Sequence, residues 1–375
     1  MKESLDSNLN KIKIKAMSKE NIKFFDVDNN ITVYKFRSGE YKKIKTLGEG
    51  SFGKVLLVEP LNSKDQKDSK YFALKISKRF KKVKKEKNKA NENTKENIDE
   101  NAETNQKPKE VNFVELRELT IMKKLSRSKS MNIVKMIDYN LSLEEKEIWI
   151  LMDYLPTDFM KFFHDNKHNK EVMNEKFFKN IAYQIIKGVQ CLHEQRIIHR
   201  DIKLENILYD QNTQTVKIGD FGLSRIFDYS LESQYTDVGT YPYKPPEVLL
   251  GLRKYTTAFD IWSIGCLLVQ ICTMSHLFGE NSPLGVLKLM YNIFGSFNDN
   301  VLPGYKNFPN SSLISKLPEN QGIGLINYIE QHKQFGFENN NFYDLISKML
   351  CIDPTKRINA NECLMHPWFR DVSNQ

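Results

Sequence analysis

Two aspartate motifs constrain this chain more than any other feature. Asp201 lies in the motif HRDIKLEN (199–206), and Asp220 begins the motif DFG (220–222). Together the two motifs offer a carboxylate that can act at a hydroxyl, a lysine that can contact phosphate, and oxygen ligands for a divalent cation. These are the parts needed to move a phosphoryl group from ATP to an alcohol.

A glycine-rich stretch, LGEGSFGKV (47–55), lies upstream in a strand–turn–strand pattern. Because glycine has no Cβ, its backbone N–H groups can approach phosphate oxygens closely. Such a loop alone is often only a turn, but here an alternating strand follows at 71–76. Ala73 and Lys75 share one face of that strand, and its larger apolar residues share the other.

Lys75 and Glu118 are charged residues in apolar settings. Lys75 lies in an otherwise apolar strand, and Glu118 lies on the apolar face of a helix predicted over 111–125. Each would be costly to bury alone, and an ion pair between them explains both. The alternatives are an edge lysine that reaches water and Glu115 as the partner.

The order of these three elements resembles the eukaryotic-type protein kinases over residues 41–369. The resemblance implies an α+β, bilobal fold with a small β-rich N-lobe and a larger α-helical C-lobe. The expected divisions are a polar N-terminal extension (1–40) with some order around 31–34, an N-lobe (41–154) with a disordered insert at about 80–110, a C-lobe (155–369) and a short tail (370–375).

The resemblance also implies ATP and Mg²⁺ as cofactors and serine or threonine side chains of proteins as substrates. Asp201 would accept or orient the proton of the substrate hydroxyl, and Lys203 would neutralise the γ-phosphate. A lysine two positions after the aspartate is typical of Ser/Thr-specific kinases. Asn206 and Asp220 would hold the magnesium ions.

Nucleotide binding is assigned by the same resemblance. A strand lysine that clamps the α- and β-phosphates and a helix glutamate that holds it correspond to Lys75 and Glu118. Apolar residues before and after the glycines would cover adenine, with Leu208 beneath it. The residues assigned to ATP are Leu47, Gly48, Glu49, Gly50, Ser51, Phe52, Gly53, Val55, Ala73, Lys75, Met152, Asp153, Leu155, Asp158 and Leu208.

The C-terminal half resembles the group of cyclin-dependent and mitogen-activated kinases. The similar segments are EVLLG (247–251), DIWSIGC (260–266), the stretch 290–305 and the end of the chain at 353–369. In that group Arg357 would pair with Glu247.

Three departures leave proline-directed specificity open, and one of them is VGT (238–240), which is more similar to the generic kinase pattern than to that of the group. The sequence PPE (245–247) replaces Ala-Pro-Glu, and Lys244 stands where the group usually carries an arginine tied to the substrate-proline pocket. The helix at 111–125 keeps only the Arg-Glu of the cyclin-contacting signature, so a cyclin is a candidate partner rather than a required one.

Activation-loop phosphorylation is the expected control. In cyclin-dependent kinases, arginines at the positions of Arg117, Arg200 and Arg225 converge on a phosphothreonine, and guanidinium groups suit a dianionic phosphate. Unrelated surface arginines are the alternative. Alignment places Tyr235 at the phosphosite, and its neighbour Thr236 is favoured because a one-residue adjustment in a flexible loop would bring its phosphate toward the three arginines. An upstream activating kinase is therefore expected.

Three function classes compete. An active cyclin-dependent-like Ser/Thr kinase leads, because none of the catalytic residues is missing. The alternatives are a catalytically silent scaffold with the same fold and a mitogen-activated-type kinase without cyclin dependence. Nucleic acid is not an expected partner, because only the lysine-rich stretch 78–89 favours it and that stretch lacks interleaved aromatics.

Composition sets the expected location. The chain has 375 residues and a formal net charge of +9, much of it in the stretch 78–89, which is either a nuclear-import signal or a solvated insert. The longest apolar run, 261–272, is too short to cross a bilayer, so no membrane association is expected. Five cysteines without CxxC spacing predict core thiols in a reducing compartment, the cytoplasm or the nucleus.

Overall fold

The computed structural model describes residues 23–26, 31–50, 53–61, 70–77, 113–142, 147–169, 172–227, 239–253, 256–334 and 340–372. These residues form two compact units. The described parts of Met1–Leu116 and Ile137–Met152 make a sheet-rich unit, and those of Arg117–Met136 and Asp153–Gln375 make a helical unit. The predicted change from β-rich to α-rich structure is confirmed.

The strands form three sheets within the described residues. The first has seven strands in the order β1-β2-β3-β4-β5-β7-β6, the second has the order β11-β10-β8, and the third pairs β12 with β9. The strands are β1 (Lys23–Asp26), β2 (Ile31–Phe36), β3 (Gly39–Gly50), β4 (Gly53–Pro60), β5 (Phe72–Ser77), β6 (Met136–Ser142), β7 (Glu147–Asp153), β8 (Thr157–Asp158), β9 (Ile197–Ile198), β10 (Ile207–Asp210), β11 (Thr215–Ile218) and β12 (Arg225–Ile226).

The helices lie mainly in the second unit. The α-helices are α1 (Phe113–Leu125), α2 (Phe159–Asn166), α3 (Glu175–Glu194), α4 (Pro246–Leu249), α5 (Ala258–Thr273), α6 (Pro283–Phe294), α7 (Leu325–His332), α8 (Asn340–Met349) and α9 (Ala360–Leu364). Short 3₁₀ turns occur at Leu204–Asn206, Tyr241–Tyr243, Tyr305–Asn307, Ser311–Leu313 and Pro367–Phe369.

The glycine-rich stretch forms the predicted hairpin. Strands β3 and β4 pair antiparallel up to Gly50 opposite Gly53, and β4 pairs with β5. Gly53 has a φ of +135°, and a Cβ there would lie 2.0 Å from the carbonyl oxygen of Ile76. Only glycine fits at this position, because both the backbone angle and the close approach exclude a side chain.

Helix α5 forms the centre of the helical unit. All its residues from Ala258 to Thr273 are buried, as expected for a helix that is apolar all round. The prediction of a buried helix in this region is therefore confirmed. The long helix α3 packs beside it and begins at Asn174, whose side chain accepts the Phe177 N–H at 2.9 Å.

The structure agrees with the order expected around 31–34, and it groups one other stretch differently from the predicted divisions. Residues 31–36, placed in the polar extension, form strand β2 because Val33, Tyr34 and Phe36 bury their side chains. Residues 117–136, placed in the N-lobe, group with the helical unit. There, Lys124 Nζ donates to the Gln195 carbonyl at 2.6 Å, where α3 ends.

Within the described residues, no helix is long and apolar enough to cross a membrane. All five cysteines are free thiols, and Cys266, Cys272 and Cys363 are buried, in agreement with core thiols.

Candidate active site

The carboxylate of Asp201 is held from two sides. Thr240 donates to Oδ1 from its hydroxyl at 2.8 Å and from its backbone N–H at 3.1 Å. Oδ2 lies 3.0 Å from Lys203 Nζ and accepts Asn206 Nδ2–H at 3.0 Å. Lys203 also reaches the Thr240 hydroxyl at 3.1 Å. The structure thus brings together three predicted site residues, Asp201, Lys203 and Asn206.

The two aspartate motifs are joined by backbone hydrogen bonds. The Gly219 N–H donates to the Asn206 carbonyl at 2.9 Å, and the Gly219 carbonyl contacts His199 Nε2 at 3.0 Å. Asn206 therefore lies next to the residue that precedes Asp220. The fully buried Phe221 packs edge-on against the His199 ring, with centroids 5.4 Å apart.

Both motifs contain left-handed backbone at residues other than glycine. Arg200 has a φ of 68° and Asp220 a φ of 55°. Such conformations cost free energy and persist where surrounding contacts enforce them, often at functional sites. At Arg200 the enforcing contact is the fully buried Asp260, which accepts the backbone N–H groups of His199 and Arg200, each at 2.9 Å.

Asp260 stays ionised despite its burial. Burial alone would raise the pKa of Asp260, but hydrogen bonds from His193 and from the Arg200 N–H lower it, and so do the charges of His193 and His199. The net effect is a pKa below the ordinary value of an aspartate. The role of Asp260 was missed from the sequence; the available signal was an acidic residue at the start of an otherwise apolar helix.

Glu118 lies beside the DFG motif. Its side chain is buried, and a Cβ built on Gly222 would lie 3.9 Å from Glu118 Oε2. The ion pair between Lys75 and Glu118 stays a prediction.

The predicted regulatory arginines belong to different elements. Arg200 is buried and donates from Nε to the Leu223 carbonyl at 2.8 Å. Arg225 lies in β12 opposite Ile198 of β9, which places its backbone close to the HRD motif. Arg117 lies in α1. Their convergence on a phosphate stays a prediction.

Residues 239–247 follow the predicted activation loop and make several close contacts. Gly239 has a φ of +83°, and a Cβ there would lie 2.4 Å from the Arg200 carbonyl oxygen. The buried Lys244 places its ammonium 3.8 Å from the centre of the Tyr241 ring. Glu247 and Arg357 form a doubly hydrogen-bonded buried pair at 2.9 and 3.0 Å, which confirms the pairing expected in the sequence.

The sheet unit carries the first group of predicted ATP residues. Gly48 lies opposite Val55 on the neighbouring strand, and Val55 lies opposite Lys75. A Cβ at Gly48 or Gly50 would meet no atom within 4 Å, so the backbone near the tip of the hairpin is open on that side. The sheet residues of this group are Leu47, Gly48, Glu49 and Gly50 in β3, Gly53 and Val55 in β4, Ala73 and Lys75 in β5, and Met152 in β7.

The helical unit carries the other described residues that were assigned to ATP. Leu208 lies opposite Asp158 in the small sheet, and Leu155 is buried. The Asp158 carboxylate caps α2 by accepting the Lys161 N–H at 2.8 Å. The Asp153 carboxylate contacts Lys217 Nζ at 2.5 Å. These two carboxylates therefore support the local fold, and the assignment of all four residues to ATP stays a prediction.

Several predicted residues lie outside the described part of the chain. They are Ser51, Phe52, Tyr235, Thr236 and the insert at about 80–110, including the lysine-rich stretch 78–89.

The oxygen donors of Asn206 and Asp220 fit a hard divalent cation. Asn206 uses its Nδ2 on Asp201, at 2.8 Å to the carbonyl and 3.0 Å to Oδ2. This directs the amide oxygen, the only atom of the group that can ligate a metal, away from Asp201. Among the described residues, no group of three or more His, Cys, Asp or Glu side chains forms a metal site.

Comparison with known proteins agrees with this geometry. The family model described as protein kinase domain matches residues 41–369. Cyclin-dependent kinase B2-1 of Oryza sativa subsp. japonica is 29% identical over 339 residues, which cover 89% of this chain and 91% of the relative. Cyclin-dependent kinase B2-2 of Arabidopsis thaliana is 30% identical over 269 residues, covering 69% and 80%. The crystal structure of the yeast RNA Pol II CTD kinase CTDK-1 complex contains a chain that matches with a TM-score of 0.68 and 25% identity, covering 88% of this chain and 92% of that one.

Proposed function

This chain belongs to the protein kinase family, within its cyclin-dependent-kinase-like group, and from that premise we propose that Asp201 acts at the substrate hydroxyl during phosphoryl transfer. The enzyme is a serine/threonine protein kinase that transfers the γ-phosphoryl group of ATP to protein side chains.

The arrangement around Asp201 carries this proposal. Its two oxygens are oriented by Thr240 on one side and by Lys203 and Asn206 on the other. A carboxylate held in one orientation can align a hydroxyl and receive its proton without first reorganising. The Lys203 ammonium lies beside the same carboxylate, where it can neutralise charge on the transferred phosphoryl group.

As a protein kinase, the chain uses ATP and a divalent metal ion. We propose Mg²⁺ as the metal, with Asn206 and Asp220 as its protein ligands. When bound, the metal neutralises charge on phosphate oxygens. The open glycine backbone at Gly48 and Gly50 supplies N–H groups for the phosphates, and Lys75 supplies a cation for them, held by Glu118.

The partners and the control of the enzyme are part of the proposal. The similar proteins are cyclin-dependent kinases and a kinase in a complex, which supports a cyclin-type activating subunit together with protein substrates. Phosphorylation at Thr236, or at Tyr235, by an upstream kinase would add a dianion that Arg117, Arg200 and Arg225 can bind. The lysine-rich stretch 78–89 supports action in the nucleus as well as the cytoplasm.

The test is transfer of labelled γ-phosphate from ATP to a basic peptide that contains Ser-Pro or Thr-Pro, with a tyrosine peptide as the specificity control. Asp201→Asn should abolish transfer and leave nucleotide binding largely intact, because Asp201 contacts the nucleophile. If the variant kept more than about a tenth of the wild-type kcat, corresponding to a barrier change under ~1.4 kcal/mol, Asp201 would not have this role. If wild-type protein bound ATP but never transferred phosphate, with or without a cyclin partner, the silent-scaffold alternative would be favoured.

A further inference from the structure

Strand β2 closes the large sheet on itself. In the strand order β2 is second and β6 is last, yet the two are joined. The Ser38 N–H, in the turn after β2, donates to Asp138 Oδ2 of β6 at 2.8 Å, and Asn140 Nδ2 of β6 donates to the Lys35 carbonyl at 3.3 Å. We call residues 31–38 the closing segment.

The closing segment contributes two rings to an aromatic core. Tyr34 and Phe36 are buried, and their ring centres lie 5.2 and 6.3 Å from that of Trp149 in β7. Leu74 and Ile76 of β5 belong to the same buried cluster. The closing segment therefore packs against one face of the strands that carry the predicted nucleotide-binding residues.

This core lies directly behind Lys75. Leu74 and Ile76 precede and follow Lys75, and because side chains alternate along a strand, Lys75 is on the opposite face. The backbone of Ile76 also lies close to the glycine hairpin, because β5 pairs with β4 there and the Ile76 carbonyl oxygen leaves no room for a Cβ at Gly53. A continuous set of contacts thus runs from Tyr34 and Phe36 through Ile76 to both Lys75 and Gly53.

We propose that the closing segment is a positioning element for ATP: it holds Lys75 and the glycine hairpin in the geometry that binds the phosphates. The inference rests on the proposed function of these strands. The closing segment lies before residue 41, where the match to the kinase family model begins, so the matched part of the chain does not itself supply this support.

The test removes the two hydrogen bonds that join the closing segment to β6 and leaves the nucleotide site and the Arg37–Tyr139 contact in place. In the variant Asp138→Ala/Asn140→Ala, both closing hydrogen bonds are lost. Asp138→Asn is the control for the closing contact, because its amide oxygen still accepts the Ser38 N–H while only the local hydrogen bond from the Tyr139 N–H to Asp138 Oδ1 is lost. For each full-length protein, the Kd of a fluorescent ATP analogue is measured by titration, together with KM for ATP, KM for peptide, kcat at saturating ATP and the thermal midpoint.

We expect the double variant to raise the Kd and the KM for ATP about fivefold, which corresponds to ~1 kcal/mol and is the lower end of what two net hydrogen bonds contribute. The peptide KM and the kcat at saturating ATP should stay at wild-type values, and Asp138→Asn should match the wild type throughout. A simple loss of folded protein would lower the apparent kcat instead. If the double variant does not fold, Asp138→Ala alone is measured in the same way.

An unchanged Kd for the ATP analogue in a folded variant would overturn the inference, and so would an equal loss in Asp138→Asn. The proposed function is judged separately, because nucleotide binding is read without catalysis. If the wild type binds the analogue, loses affinity in the double variant and yet transfers no phosphate, the proposed function fails while the positioning role stands.

Discussion

Thr240 donates twice to a single oxygen of Asp201, from its hydroxyl at 2.8 Å and from its backbone N–H at 3.1 Å. The hydroxyl of Thr240 also accepts from Lys203 at 3.1 Å. Thr240 lies in the segment 239–247, after the predicted activation loop, and this segment therefore helps to orient the proposed catalytic carboxylate. A change in that segment can reach Asp201 through Thr240.

Thr240→Ala should lower kcat by about 10- to 100-fold, because a hydrogen bond to a charged group contributes roughly 1.5–3 kcal/mol. The Kd for ATP should stay unchanged, since Thr240 acts on Asp201. Thr240→Ser keeps the hydroxyl and serves as the control, with kcat near the wild-type value. Steady-state kinetics and nucleotide titration check both. Equal losses in the two variants would show that the hydroxyl is not what matters.

Gly239→Ala should disturb the same contact through the backbone. Its Cβ would lie 2.4 Å from the Arg200 carbonyl oxygen, at a φ of +83°. Gly304 is the matched control, because its φ is +70° and a Cβ there meets nothing within 4 Å. Gly304→Ala should cost only about 1–2 kcal/mol of stability from left-handed strain. Gly239→Ala should in addition lower kcat by at least about tenfold, one factor of ~1.4 kcal/mol in the barrier. Similar kinetic effects of the two substitutions would contradict a specific contact with Arg200.

Much of the fold could be predicted from the sequence, because the periodicity of apolar residues in these elements agrees with their burial. Phe72, Leu74 and Ile76 alternate with Ala73 and Lys75, and the structure buries the first three in one core cluster. The helix at 258–273 is apolar on every side and is buried on every side. Periodicity reports burial directly, so such elements can be predicted from one sequence.

Other features depend on contacts distant in the sequence. The stretch 31–36 is short and lies in a polar region, and its strand is stable because Tyr34 and Phe36 meet Trp149 more than a hundred residues later. In the sequence, Asp260 is one acidic residue near the start of a helix. Only the structure shows that it accepts the backbone N–H groups of His199 and Arg200. Within the site, the sequence motifs identified the residues. The hydrogen bonds that orient those residues could be seen only in the structure.

Removing one partner of the Glu247–Arg357 pair should destabilise the protein strongly. Both side chains are buried, and their two hydrogen bonds measure 2.9 and 3.0 Å. Glu247→Ala should lower the free energy of unfolding by about 3–5 kcal/mol, because it leaves a buried guanidinium without its carboxylate. Urea unfolding measures the change.

The control for that measurement is a surface pair. Lys348 and Asp344 lie 2.6 Å apart with each side chain about half exposed, so Lys348→Ala should change stability by less than about 1 kcal/mol. A second variant, Glu247→Leu/Arg357→Met, should recover part of the loss because it leaves no unpaired charge. A double variant less stable than Glu247→Ala would contradict this explanation.

The low pKa of Asp260 makes its contribution to stability depend on pH. Burial alone would raise the pKa, but His193, His199 and the Arg200 N–H lower it below the ordinary value of an aspartate, about 3.9. In the unfolded chain the carboxyl titrates near that value. A carboxyl whose pKa is lower in the folded state stabilises the protein fully above the unfolded pKa, and the stabilisation is lost as the pH falls through the folded pKa.

Asp260→Asn should therefore lower the free energy of unfolding by about 1–3 kcal/mol at pH 7, because a neutral amide cannot satisfy all the buried donors that the carboxylate accepts. Between about pH 5 and pH 2, the difference between wild type and variant should shrink as the pH falls below the unfolded pKa and then through the lower folded pKa. Thermal and urea unfolding of both proteins across this pH range would measure it. The variant should also lose kcat, since Asp260 holds the backbone at His199 and Arg200 next to Asp201. A stability difference that grew between about pH 5 and pH 2 would mean that the folded-state pKa of Asp260 is raised, and the sign assigned to it would be wrong.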